Sequence, residues 1–412
     1  MKLIKYLLVI LIFAVFFSCS LNRYSPEIKN TLESAEDNKS DLKKAIRYFE
    51  VKGDSLQLDA VLFLIENLPY HSFVEIVPCD SERVEIPWNI SKYENYSEAR
   101  TALDSLEKIG GFDWEANQRF KDAQVISSEF LIQNVEDSFY AWKNLPWSKG
   151  YSYEVFVEYI LPYRGSNEPL PEKNNWREEF MEKYSELPQI MLDQTDPLEA
   201  ATFINQELRE WFKFDEIYYL HPTDQSIDEM KNTCMGRCED MTNLAMAVLR
   251  ANGIAVTSDY TPHWADSGNN HAWNAIVTHE GEAIPFMGCE ADPGKYSIRS
   301  RVAKVYRKTF AKQDDNLASL LKENEDAPAW LSSKHYVDVT NKYSKVTDLS
   351  LKIIRSIPDS VRFAYLCVFN SGEWRAIQWS KIDNKNSTFE DMGIDLCYLP
   401  MILEKEIDRS KI

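Results

Sequence analysis

Cys238 and His271 are the residues of this 412-residue chain whose types and settings best suit nucleophilic chemistry. The thiol stands in N-T-C-M-G-R-C-E-D-M-T-N-L-A-M-A-V-L-R-A-N-G-I and the imidazole in N-N-H-A-W-N-A-I-V. Two acids follow, Glu290 and Asp292, in P-F-M-G-C-E-A-D-P-G. A thiol attacks as its thiolate, and its unperturbed pKa of about 8.5 leaves only a few per cent ionised at neutral pH. A nearby imidazole can take the proton, and a carboxylate on the other ring nitrogen fixes the tautomer. The thiolate would attack a carboxamide carbonyl and His271 would protonate the leaving amine. Water, or a second amine, would then release the acyl group.

The surrounding pattern supplies elements to hold these groups. Met241, Ala245, Val248 and Leu249 recur at helical spacing, Arg250 sits in the last turn, and Asn252-Gly253 is a stop. Cys238 therefore opens a helix. There, partial positive charge and unpaired N–H groups are expected to lower the thiol pKa and to offer its backbone N–H as an oxyanion donor. His271 to Val277 alternates as a strand, and the turn His279-Glu280-Gly281-Glu282 leads to a second strand, Ala283 to Phe286. Asn269 and Asn270 suggest a polar rim. Trp273 and Asn270 are read as substrate-contacting residues.

The G-R-C-E-D helix, the N-H-A-W strand and the acidic strand after it resemble the transglutaminase-like, papain-related superfamily over roughly residues 196 to 310. The resemblance implies an α+β core in which Cys238 is the nucleophile and His271 its base. It makes Asp292, with Glu290 close behind, the residue that orients the imidazole. Such relatives commonly read W-x-x-x-D on the last strand. Here A-I-P-F-M-G-C-E-A-D displaces the acid.

Other readings fit some of the same residues. Cys238 could be a small core thiol or pair with Cys234, and Cys234 could equally pair with Cys289. Cys234, Cys238, His263 and His271 could supply four zinc ligands, although their spacing lacks the tight pair of familiar zinc sites. No cofactor or metal is implied, and no loop shows the Asp/Asn spacing of a calcium site. The fold could also be kept by a catalytically silent binding or scaffolding protein.

The chain around this core divides by texture. Lys2 and Lys5 precede an apolar run, Leu7 to Phe17, too short to span a membrane and shaped like a signal peptide. The run ends in F-F-S-C, which resembles a bacterial lipoprotein signal with the lipid on Cys19. Phe16 stands where leucine is more usual. Residues 1–18 are thus expected as signal and 19–195 as tether and mainly helical domain. The core spans 196–310, a linker 311–335 and a small β-sandwich 336–412. Residues 20–32 read as a tether, and the basic stretch from Ser297 to Phe310 reads as an edge of the core. Five or so short alternating runs beyond Tyr336 read as the sandwich, with Cys367 and Cys397 as buried strand thiols. The aromatic stretch from Trp147 to Tyr163 reads as core or domain interface, or else as a carbohydrate-binding cleft. This layout resembles transglutaminase-like lipoproteins of the Bacteroidetes type. It implies a body tethered by lipid to the cell envelope, on the periplasmic or outer face; the substrate, a peptide or protein, is expected from the Cys238–His271 chemistry and not from this resemblance. A net charge of −19 argues against nucleic-acid partners and against direct binding to an anionic surface.

Overall fold

The computed structural model describes residues 24–403, except 109–112, 323–324, 355 and 359. The expected signal and Cys19 lie outside the described residues. The chain divides into two compact units, residues 1–73 with 120–135 and residues 74–119 with 136–412.

The described residues of the first unit include the helices Pro26–Ser34, Lys39–Lys52 and Ser55–Asn67. Leu42, Ala45, Ile46 and Phe49 of the second, and Ala60, Val61, Leu64 and Ile65 of the third, are buried, so each helix buries one apolar stripe. The expected tether is shorter than its polarity suggested. Proline at the first helical position and a Ser25 side chain accepting from the Ile28 N–H start a helix already at Pro26.

The second unit holds the α+β core. Helix α1 (Pro197–Trp211) and helix α2 (Cys238–Ala251) accompany strands β1 (Val256–Thr261), β2 (His271–Val277), β3 (Ala283–Phe286), β4 (Tyr306–Lys308) and β5 (Tyr336–Asp338). The strands form one antiparallel sheet in the order β3-β2-β1-β4-β5. The register pairs Thr261 with His271, Asp259 with Trp273, and Asp259 with Arg307. His271 and Trp273, two apart on one strand, therefore share a face.

Helix α2 begins on Cys238, as its spacing predicts. The Asp240 carboxylate accepts from the Arg237 N–H at 3.0 Å and from the Gln225 N–H at 3.0 Å, which fixes this start. The helix stops at Gly253, whose φ of +66° favours glycine and where an added Cβ would stand only 2.7 Å from Ser148 Oγ. Trp147 Nε1 donates to the Asn252 carbonyl and the Ser148 hydroxyl to that of Gly253. With Tyr151, Phe156 and Tyr163 also buried, the aromatic stretch is core, and offers no flat exposed platform for a sugar.

Two expectations about the core's limits are corrected. The stretch around Lys304 is interior: β4 lies between β1 and β5, and Lys304 is wholly buried. Its ammonium is paired with Asp338 and donates to the carbonyls of Glu390 and Asp391, which is how a buried cation is made tolerable. Tyr336–Asp338 belongs to this sheet too, because β4 offers it an open edge. The remaining tail strands form two sheets, one of Val346–Lys352 and Asn386–Gly393. The other holds Glu373–Lys381, Phe363–Asn370 and Leu399–Met401. Leu366, Val368, Ile377, Phe389 and Met392 fill the space between them, giving the small sandwich. Cys367 is buried in a strand, but Cys397 is exposed outside one.

Candidate active site

Cys238 sits on the first residue of α2 with 9% of its surface exposed. Its Sγ lies 3.1 Å from Glu239 Oε2, close enough to donate a hydrogen bond to that carboxylate. The thiol pKa does not fall, as the helix start had suggested. It is pushed up to about 12, first by burial, then by the Glu239 charge and its hydrogen bond. Magnitudes account for the direction. A like charge at about 4 Å costs a thiolate roughly 4 kcal/mol at an effective dielectric of about 20, whereas a helix terminus returns about 0.3–1 kcal/mol. The counter-charge nearest Glu239 is already committed. Arg237 Nη2 donates to Asp224 at 2.7 Å, while its Nε stands 3.6 Å from Glu239.

His271 opens β2 and is partly buried. Its Nε2 lies 2.8 Å from the hydroxyl of Tyr296. Trp264 stacks on the imidazole at 5.9 Å between centroids, and Trp273 and Tyr296 flank it at 6.0 and 6.2 Å. Burial lowers the His271 pKa, while the charges of Glu239 and Glu290 act against the shift. Both shifts favour the uncharged forms, the thiol at Cys238 and the neutral imidazole at His271.

The acids are placed differently from one another. Asp292 is buried and accepts from Gln206 Nε2 at 3.2 Å and from Asn205 Nδ2 at 3.4 Å, both on α1, with Lys295 Nζ at 3.4 Å. Burial pulls its pKa up, but these donors and Arg209 hold it below the usual carboxylate range. Glu290 is exposed and acts on His271 and Tyr296 through its charge. Among the described residues, neither acid hydrogen-bonds His271. Trp273 is wholly buried between the rings of His271, Tyr296 and Tyr343, so it supports the imidazole from below and presents no surface to a substrate. Asn270 does line a cleft of about 520 Å³ beside the imidazole, with Tyr219, Asp224, Arg237, Glu239 and His271.

The chain itself points to a kinship. Residues 187–286, which include Cys238 and His271, match the sequence profile of the transglutaminase-like superfamily. This segment is a transglutaminase-like domain. Its matched part ends before Glu290, Asp292 and Tyr296, the region where the chain departs from the W-x-x-x-D pattern. Among solved structures, a candidate cysteine protease from Cytophaga hutchinsonii is similar at 17% identity, with a TM-score of 0.22. The similarity covers 28% of this chain and 38% of that one. No curated protein matches the chain.

The other readings of the cysteines can now be placed. Cys234, Cys238 and Cys289 are all free thiols. Among the described residues, no three His, Cys, Asp or Glu side chains gather as a metal site. Glu239, Tyr219 and Tyr296 escaped the sequence reading. Glu239 was legible in principle as an acid adjoining the nucleophile. Tyr296 carried no signal, since it follows the last core motif in irregular chain.

Proposed function

We propose that this transglutaminase-like domain performs cysteine-dependent acyl chemistry, with hydrolysis of a peptide or side-chain amide as the outcome. The observation that supports this most is the cleft that His271 lines together with Glu239, whose carboxylate the helix-start thiol of Cys238 meets at 3.1 Å. Because the uncharged forms are favoured, His271 acts as a general base during attack and does not hold a preformed thiolate. The Cys238 proton passes to the imidazole as sulfur bonds to the carbonyl carbon. The imidazolium then gives that proton to the departing amine, and water hydrolyses the thioester. Water is preferred over a second amine because it reaches an open cleft far more often than a presented lysine does. We place the protein at the cell envelope, held by a lipid on Cys19.

The test is peptide-resolved alkylation of the full-length protein by iodoacetamide. His271→Ala should slow labelling of Cys238 by about a hundredfold or more, the lower range for loss of a general base, and leave the other thiols unchanged. Equal labelling of Cys238 in both proteins would refute the pairing. A second reading, a silent scaffold that keeps the fold, is favoured by one observation. The Glu239 carboxylate holds the thiol in its unreactive form. That reading requires Cys238→Ser to leave every function of the protein intact.

A further inference from the structure

We propose that Tyr296 is the residue that positions His271, in the place where the superfamily pattern leads one to look for a carboxylate. The proposal rests on the Cys238–His271 reading above and adds to it a residue that no motif indicates.

The geometry is specific about the ring nitrogen. The phenol oxygen of Tyr296 lies 2.8 Å from Nε2, and among the described residues no other hydrogen bond to the imidazole is formed. Nδ1 is thereby left as the nitrogen available to the thiol. The two carboxylates that could have held Nε2 are engaged elsewhere or act at a distance. Asp292 is bound by Asn205 and Gln206, and Glu290 reaches the imidazole only through its charge. The tyrosine is itself held. Its ring packs 6.2 Å from wholly buried Trp273, which in turn packs edge-on to Tyr343 at 5.3 Å. The phenol is therefore presented to Nε2 by a stack of rings anchored in the sheet.

A phenol oxygen that accepts from Nε2–H leaves the lone pair on Nδ1, the tautomer a general base needs. In the attack step the Cys238 proton moves to Nδ1 as sulfur bonds to carbon, while Nε2–H stays bonded to the phenol oxygen. When the amine leaves, the Nδ1 proton goes with it, so Tyr296 neither gains nor loses a proton. A neutral partner stabilises the imidazolium less than a carboxylate does, which suits a base that works from the neutral state.

The experiment combines two readouts on the full-length protein, wild type, Tyr296→Phe and His271→Ala. Isotope-labelled histidine NMR reports the tautomer, with the His271 signals identified by their loss in His271→Ala; only six histidines are present. Wild-type His271 should be the Nε2–H tautomer at neutral pH, and Tyr296→Phe should mix the two tautomers. Cys238 alkylation by iodoacetamide should slow roughly tenfold in Tyr296→Phe, the scale of one lost hydrogen bond. Nδ1–H in the wild type overturns the proposal, and needs no variant to fold. An unchanged or faster alkylation in Tyr296→Phe also overturns it, since the phenol would then be a cap on the base. If His271→Ala leaves Cys238 labelling unchanged, it is the Cys–His reading that fails. The tautomer measurement then still decides for or against Tyr296 as the group that orients the ring.

Discussion

Two rungs of the core sheet, successive on one face, treat charge in opposite ways. At the Asp259–Trp273 rung, the wholly buried Asp259 accepts two hydrogen bonds from Arg307, both at 2.8 Å, and a third from Tyr343. Two pairs along, at Thr261–His271, the nearby anion is Glu239, and what it faces is the Cys238 thiol. The first rung is a closed account of donors and acceptors, and it rigidifies the sheet under the imidazole. In the second, an anion opposes ionisation of the thiol proposed as the nucleophile. The contrast separates a network that serves stability from one that sacrifices local electrostatics, the usual mark of a functional site.

The contrast can be broken most severely at the first rung. Asp259→Ala leaves the Arg307 guanidinium buried without its partner and should cost about 3–5 kcal/mol, seen as a lower urea midpoint. Little loss there would mean that water replaces the carboxylate, and the rung would not be the rigid support described. At the second rung the effect should fall on reactivity instead. Glu239→Gln removes the charge that opposes the thiolate, so the thiol pKa falls from about 12 and Cys238 alkylation at neutral pH rises. In the wild type the labelling rate should keep rising with pH well beyond the ordinary thiol range. A pH profile unchanged by Glu239→Gln would assign the elevated pKa to burial alone. The smallest effect is expected from Asp292→Asn. Its carboxylate serves α1, so Cys238 alkylation should change less than about twofold, against the roughly tenfold set by one functional hydrogen bond. A large loss would restore Asp292 to the orienting role that the resemblance implies for it.

Much of the core was legible because its signals are local. The helical spacing of Met241, Ala245 and Val248, the stop at Gly253 and the alternation from His271 to Val277 each arise within one turn or one strand. They correspond to α2 and β2 in the structure. Signals that depend on distant partners were read less well. Lys304 lies in a stretch that read as a basic edge of the core, and only Asp338 and two tail carbonyls make its burial tolerable. The acid was ambiguous for a similar reason. Glu290 and Asp292 differ by two positions in sequence, but one is exposed and the other is turned into α1.

By itself, then, the sequence determined where the helix begins, that a cysteine begins it, and that a histidine opens the strand after it. Hydrophobic period, capping residues and turn residues act over a few positions, and these features follow from them. The tertiary structure alone decided the partners and the directions in which burial and charge shift the pKa values. Glu239 faces the thiol, Tyr296 holds Nε2, and Asp292 answers to Asn205 and Gln206. Those contacts depend on side-chain directions and on burial, which shift pKa values through the low-dielectric surroundings that several packed segments create together.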